Sequence, residues 1–280
     1  MSSKSSSFTP SFLAGPLIAT LTLFTADLTT VRVLAQQAPA TTAPATTATG
    51  AAAPAGRGRG GPVTPATEPR PRDDARHQSF LETAKAGNID LLFVGDSITD
   101  LWRRSTSANA DGPVRGLAVW NEHFAPLNAA NFGISGDTTQ GVLWRMRNGE
   151  LQGFTAKLIV LMLGTNNISR NPPEEIAEGD RLIVEEFRKQ QPQAKVLLLG
   201  VFPRSQKPDA PARALIKTLN EKLATIADNE HVFYLDIGSK FLGADGTLSP
   251  DIFPDGLHPN EAGYRIWADA VLPTVKDLMK

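Results

Sequence analysis

Four short blocks hold the residues whose types and spacing could do chemistry. They are Gly95-Asp96-Ser97, GISGDTT at 133–139, GTNN at 164–167 and DGLHPN at 255–260. The Ser97 hydroxyl is a weak nucleophile until a base takes its proton. His258 is a base of the right kind, and Asp255 lies three residues before it in a turn flanked by Gly and Pro. That spacing lets both side chains project from one loop, where a carboxylate can hold the imidazole tautomer and stabilise its cation. Gly136 can bring a backbone N–H close to a ligand. The Asn166 amide can donate to a developing oxyanion. Together these residues make an acyl-transfer set. Each also has a plainer explanation: Asp96 or Ser97 as a helix cap, Gly136 as a loop glycine, the others as turn residues.

Among the four histidines, only His258 has an acid three residues earlier in a turn flanked by Gly and Pro. His77 sits at the edge of a low-complexity tract, His123 lies in a helical, tryptophan-rich stretch and reads as half-buried, and His231 opens an apolar run. Other chemistries are poorly served. No G-x-S-x-G elbow is present. An aspartyl phosphatase would want a second acid two residues after Asp96, where Ile98 stands. There is no H-E-x-x-H run and no cysteine, which excludes thiol nucleophiles, disulfides and cysteine metal sites. The reading calls for no metal and no cofactor. The alternative from a different class is a catalytically silent module that binds carbohydrate or lipid. Such a module would be expected to have lost Ser97, Asn166 or His258, and all three are present.

The elements that must position these residues alternate along the chain. Apolar runs at 89–95, 127–133, 157–164, 195–201 and 231–237 read as five strands. The segments at 173–191 and 211–229 place apolar residues at helical spacing, each behind a proline. A short helix from 77 stops at Gly87, and a last one starts after Pro259 with a kink expected at Pro273. Near-continuous apolar strands between helices predict a parallel sheet covered on both faces, a three-layer α/β/α domain. Ligands of such sheets bind beyond the carboxyl ends of the strands. Ser97 follows the first run, Gly136 the second, Asn166 the third, and Asp255 and His258 a loop after the fifth.

Of the 280 residues, 41% are hydrophobic and 20% charged, and the net charge is -1. No basic field is present to attract nucleic acid or an anionic membrane. Residues 1–35 resemble an export leader: Lys4, an apolar stretch at 11–26 too short for a comfortable membrane span, and VLA before Gln36. An exported protein, periplasmic or secreted, is expected, or one held by the leader if it is not cleaved. Residues 36–73, rich in Ala, Pro, Thr and Gly, read as a disordered linker. The chemistry-bearing blocks all fall in 74–280.

The blocks GDSIT, NFGISGDTTQGVLWRMRNGEL, GTNN and DGLHPN together resemble the SGNH (GDSL-type) hydrolases. The middle two are most like the catalytic subunits of type Ib platelet-activating-factor acetylhydrolases. The resemblance implies the flavodoxin-like SGNH fold with a five-stranded parallel sheet. It implies Ser97 as nucleophile, Asp255 and His258 as acid and base, and an oxyanion hole of the Ser97 and Gly136 N–H groups with the Asn166 amide. It further implies an acyl pocket at Ile98, Thr165 and Leu257, and a small acyl ester or acetylated carbohydrate as substrate. Ile98 stands where the name-giving motif has leucine, and Asn167 where many members have aspartate.

Overall fold

The computed structural model describes residues 63–104 and 114–280. The expected leader and residues 36–62 of the expected linker lie outside them. Five strands form one all-parallel sheet: β1 (Leu91–Gly95), β2 (Ala129–Gly133), β3 (Leu158–Met162), β4 (Lys195–Leu199) and β5 (Val232–Leu235). Their spatial order is β2-β1-β3-β4-β5. The helices are α1 (Ala75–Ala86), α2 (Ser97–Asp100), α3 (Leu117–His123), α4 (Thr139–Arg147), α5 (Pro173–Gln190), α6 (Pro211–Leu223) and α7 (Glu261–Leu278).

Strand alternation divides the core in two. Leu92 and Val94 of β1 join one apolar cluster with Phe80, Val142, Ile176 and Leu219. Leu91 and Phe93 join the other with Trp120, Trp267 and Val271. Helices α1, α4, α5 and α6 therefore cover one face and α3 and α7 the other, which gives the three layers. Side chains that must fill both faces explain why the strands read as unbroken apolar runs.

The order of the strands decides where a site can form. The chain leaves β1 through α2 and α3 on one face to reach β2, then crosses by α4 on the other face to reach β3. The carboxyl end of β1 is thus the point where the connections reverse, which is where such sheets form their ligand crevice. Gly95 closes the strand because a side chain there would meet the Met162 carbonyl at 2.6 Å. Helix α7 is tied to this end of the sheet. The Tyr264 hydroxyl donates to the Ile98 carbonyl at 2.6 Å, and Trp267 packs on Trp102 and Phe202 at 4.9 Å between centroids. The helix continues through Pro273.

The end of the expected linker differs from its compositional reading. Ala66 is fully buried. Its carbonyl accepts from the Thr139 hydroxyl at 2.8 Å, and the Thr64 carbonyl accepts from Gln140 and Asn171, both at 3.1 Å. Arg70 N–H donates to the Gln140 carbonyl at 3.0 Å. The contacts are made through the backbone, so small residues suffice and the absence of large apolar side chains conceals them.

A buried acid pair adds a pH dependence. Asp96 and Asp180 are almost wholly enclosed, and neither Asp180 oxygen has a hydrogen-bond partner among the described residues. Burial, partly offset by the Ile98 N–H, lifts Asp96 to about 7, with Asp137 also raising it and Arg204 opposing. Burial first, then Asp96, lifts Asp180 well above the usual carboxylate range. A carboxyl whose folded pKa exceeds its unfolded one holds its proton longer when folded. Stability is then fully present below about pH 4 and falls as pH rises through the folded value. Asp180→Asn should raise the melting temperature at pH 8 by about 2–10 °C, from about 1–3 kcal/mol of relieved burial. The gain should be much smaller at pH 4. Equal gains at both pH values in calorimetry would refute the charge conflict.

Candidate active site

The crevice at the end of β1 collects the sequence-selected residues from both sides. Asp96 caps α2 by accepting from the Ile98 N–H at 2.9 Å, which fixes the turn that carries Ser97. Ser97 is 8% exposed, and its Oγ lies 2.9 Å from His258 Nε2. His258 Nδ1 lies 2.7 Å from Asp255 Oδ2. Asp255 Oδ1 accepts the backbone N–H groups of Leu257 at 3.0 Å and His258 at 2.7 Å. Burial works against ionisation of Asp255, but the His258 backbone and ring hydrogen bonds outweigh it and hold the carboxyl below its usual range. An unbroken hydroxyl–imidazole–carboxylate line results, with the carboxylate ionised at neutral pH.

The loops after β2 and β3 flank Ser97 because those strands flank β1. Gly136 has φ +80°, a conformation that favours glycine, and the place of its missing side chain is open space. The Asn166 Nδ2 donates to the Asp137 carbonyl at 2.8 Å, which links the two loops across the crevice. An amide nitrogen has two hydrogens, so the other is left for a ligand. Ile98 and Thr165 are 1% exposed, whereas Leu257 is half-buried and packs on the same core cluster as Ile98. Of the three expected pocket residues, Leu257 has the most surface to offer a ligand. A cavity of about 610 Å³ between α6 and β5 holds none of these groups.

Several supporting residues escaped the sequence reading. Arg145 is fully buried; its Nε donates to Asp137 Oδ2 at 3.0 Å, its NH1 to Glu150 and its NH2 to the Phe132 carbonyl at 3.2 Å. Glu150 in turn meets His77 Nδ1 at 2.7 Å. Burial pushes the Glu150 carboxyl up against the pull of Arg145 and His77. This buried chain anchors the residue after Gly136, and removing one member of such a set costs about 3–5 kcal/mol. Arg115, 6% exposed, donates from NH1 to the Pro259 carbonyl at 2.7 Å and the His258 carbonyl at 3.3 Å. Arg204 NH1 donates to the Thr165 carbonyl at 2.9 Å, and the next residue, Ser205, donates its N–H to the Gly256 carbonyl at 2.7 Å. The one sequence signal for Arg145 was its helical spacing from Val142. His123 is half-buried as expected, and it lies away from this crevice on α3.

Comparison with known proteins identifies the family. Residues 93–266 match the GDSL-like lipase/acylhydrolase family. Rat platelet-activating factor acetylhydrolase IB subunit alpha2 is 39% identical over 191 residues, which cover 68% of this chain and 77% of the rat protein. The human alpha1 subunit is 35% identical over 213 residues, 73% of this chain and 86% of its own. A GDSL-like lipase from Bacteroides thetaiotaomicron superposes with a TM-score of 0.58 at 20% identity, covering 72% of this chain and 97% of that one. An acetylxylan esterase from Geobacillus stearothermophilus does so with a TM-score of 0.52 at 22% identity, covering 67% and 94%. These matches, over the same strands and loops that form the crevice, show that the chain belongs to the GDSL-like lipase/acylhydrolase family and is a carboxylic ester hydrolase.

Proposed function

We propose that the protein is a serine esterase that removes short acyl groups, chiefly acetyl, through an acyl-enzyme. The observation that carries this reading is the line Ser97–His258–Asp255, with contacts of 2.9 and 2.7 Å. His258 takes the Ser97 proton as Oγ attacks the ester carbonyl, then returns it to the leaving alkoxide. Water, deprotonated by His258, releases the acid in the second half. The N–H groups of Ser97 and Gly136 and the free hydrogen of the Asn166 amide hold the oxyanion of both tetrahedral intermediates. Relatives named for acetyl-ester hydrolysis support the acetyl preference. We also place the enzyme outside the cytoplasm, with residues 1–35 as its export leader and the following Ala/Pro/Thr/Gly tract as a tether.

The experiment pairs a serine-directed organophosphonate with a panel of p-nitrophenyl esters of rising chain length. Ser97 should carry the label. A label elsewhere would remove the mechanism, and no hydrolysis of any ester would favour a silent binding module. If Ile98, Thr165 and Leu257 wall the acyl site, each methylene that does not fit loses about 1–3 kcal/mol of transition-state binding. Acetyl esters should therefore react much faster than hexanoyl esters. Leu257→Ala, at the most exposed of the three positions, should move the optimum toward longer chains. A wild-type preference for octanoyl esters would show that the pocket is open.

A further inference from the structure

Charge is unevenly spread around the loop that carries Gly136. Arg76, Arg103 and Arg104 gather about Asp100, a residue only 2% exposed at the end of α2, and Arg72 meets the neighbouring loop at Ser135. Arg103 Nε is 2.5 Å and Arg76 NH2 3.6 Å from Asp100 Oδ1, and Arg104 NH2 is 3.9 Å from Oδ2. Asp100 Oδ2 also accepts the Ser135 hydroxyl at 2.6 Å. Arg72 pairs with Asp74 at 3.0 Å and reaches the Ser135 carbonyl at 3.3 Å. Among the described residues, four guanidiniums thus share two carboxylates. Each of the four keeps 31–37% of its side chain in solvent.

Arg76 lies 4.4 Å over the Phe80 ring but is short of hydrogen-bond acceptors. Its NH2 stands beyond hydrogen-bond length from Asp100, and its Nε is buried with no acceptor among the described residues. Burial, then the neighbouring Arg103 guanidinium, presses its pKa below the ordinary arginine value. Arg76 and Arg103 line a cleft of about 310 Å³ along the open edge of β2, with Phe80, Asn131 and Phe132 among its other walls. One carboxylate with one arginine would serve stability alone. Crowded, half-desolvated guanidiniums instead suit a further anion, and their planar forks match carboxylate and phosphate oxygens. Ser135, held by this cluster, is the neighbour of Gly136, so the cluster borders the mouth of the crevice.

We propose that Arg72, Arg76 and Arg103 form a subsite for a carboxylate or phosphate carried by the alcohol portion of the ester. The inference rests on the esterase reading of Ser97 and narrows its substrates to anionic esters. The anion belongs to the alcohol portion because an acetyl group has no place to carry one. The small net charge of the chain hides such a local field.

The test uses pairs of acetyl esters that differ only in the anion: acetylated glucuronic acid against its methyl ester, and an acetylated sugar phosphate against the same sugar without phosphate. The charged member should show kcat/KM about tenfold or more above its neutral partner, the scale of one charge-assisted contact. Raising salt from roughly 20 to 500 mM should shrink that preference. In Arg76→Gln the ratio of charged to neutral rates should fall toward one, and a ratio cancels general damage to the enzyme. Should Arg76→Gln not fold, Arg103→Gln gives the same readout, and the wild-type salt dependence needs no variant. A preference in only one pair supports the subsite and identifies its anion. Ratios near one in both wild-type pairs overturn the subsite and leave the esterase standing. A preference that survives both substitutions also overturns it. Failure to cleave even neutral p-nitrophenyl acetate overturns the esterase reading itself.

Discussion

Ser97→Ala should lower kcat/KM for an acetyl ester by about 10⁴- to 10⁶-fold, the scale seen when a triad nucleophile is removed. The variant should fold normally. The Ser97 hydroxyl has His258 as its hydrogen-bond partner, whereas the cap of α2 comes from Asp96. His258→Ala should cost about as much, because a hydroxyl without its base and a base without its hydroxyl fail at the same step. The double variant should then be no worse than either single one, a non-additivity that independent contributions would not produce. Circular dichroism and melting curves on all three proteins separate lost chemistry from lost structure. Multiplying losses, or more than about 1% residual activity in Ser97→Ala, would mean that another group attacks the ester.

The sheet was legible because every strand fills two faces. Four of the five apolar runs contain strands buried over most or all of their length or bounded by glycine, and only their ends moved inward by a few residues. The fifth run shortened to Val232–Leu235, a strand in which only Val232 is buried. Helix α1 ends where Gly87 takes φ +80°, as its stop signal implied. Helix α4 was hard to see. Its buried face carries Thr139, Gln140 and Arg145 as well as Val142 and Met146, so polarity and burial do not alternate together. The chemistry-bearing side chains were legible because strand ends expose them one at a time. Their supports were not, since an arginine that spends its charge on buried carbonyls or carboxylates looks, in sequence, like any surface arginine. Arg115 and Arg145 are both of this kind.

On the oxyanion role proposed for it, Asn166→Ala should lower kcat by about 10²- to 10³-fold with little change in KM, as the loss of an oxyanion donor does. The expectation comes from how its amide is divided. One Nδ2 hydrogen goes to the Asp137 carbonyl at 2.8 Å, and that bond sets the plane of the amide. Asp137 is itself fixed by Arg145, so the amide is oriented before any substrate arrives. In the proposed mechanism the second hydrogen meets charge only when the carbonyl oxygen becomes an oxyanion, which is why the loss should fall on kcat. Losing the Asp137 bond should cost stability only about 1 kcal/mol. Asn167 provides the contrast. It is 1% exposed and bonded to Thr139, Gln140 and Asn171, so Asn167→Ala should lower the melting temperature more than Asn166→Ala does. Asn166→Asp should be no better than Asn166→Ala, because an ionised carboxylate donates nothing and repels the oxyanion. A rise in KM with kcat intact in Asn166→Ala would make the residue a ground-state binding group. A large fall in melting temperature with kcat intact would make it only a brace between the two loops.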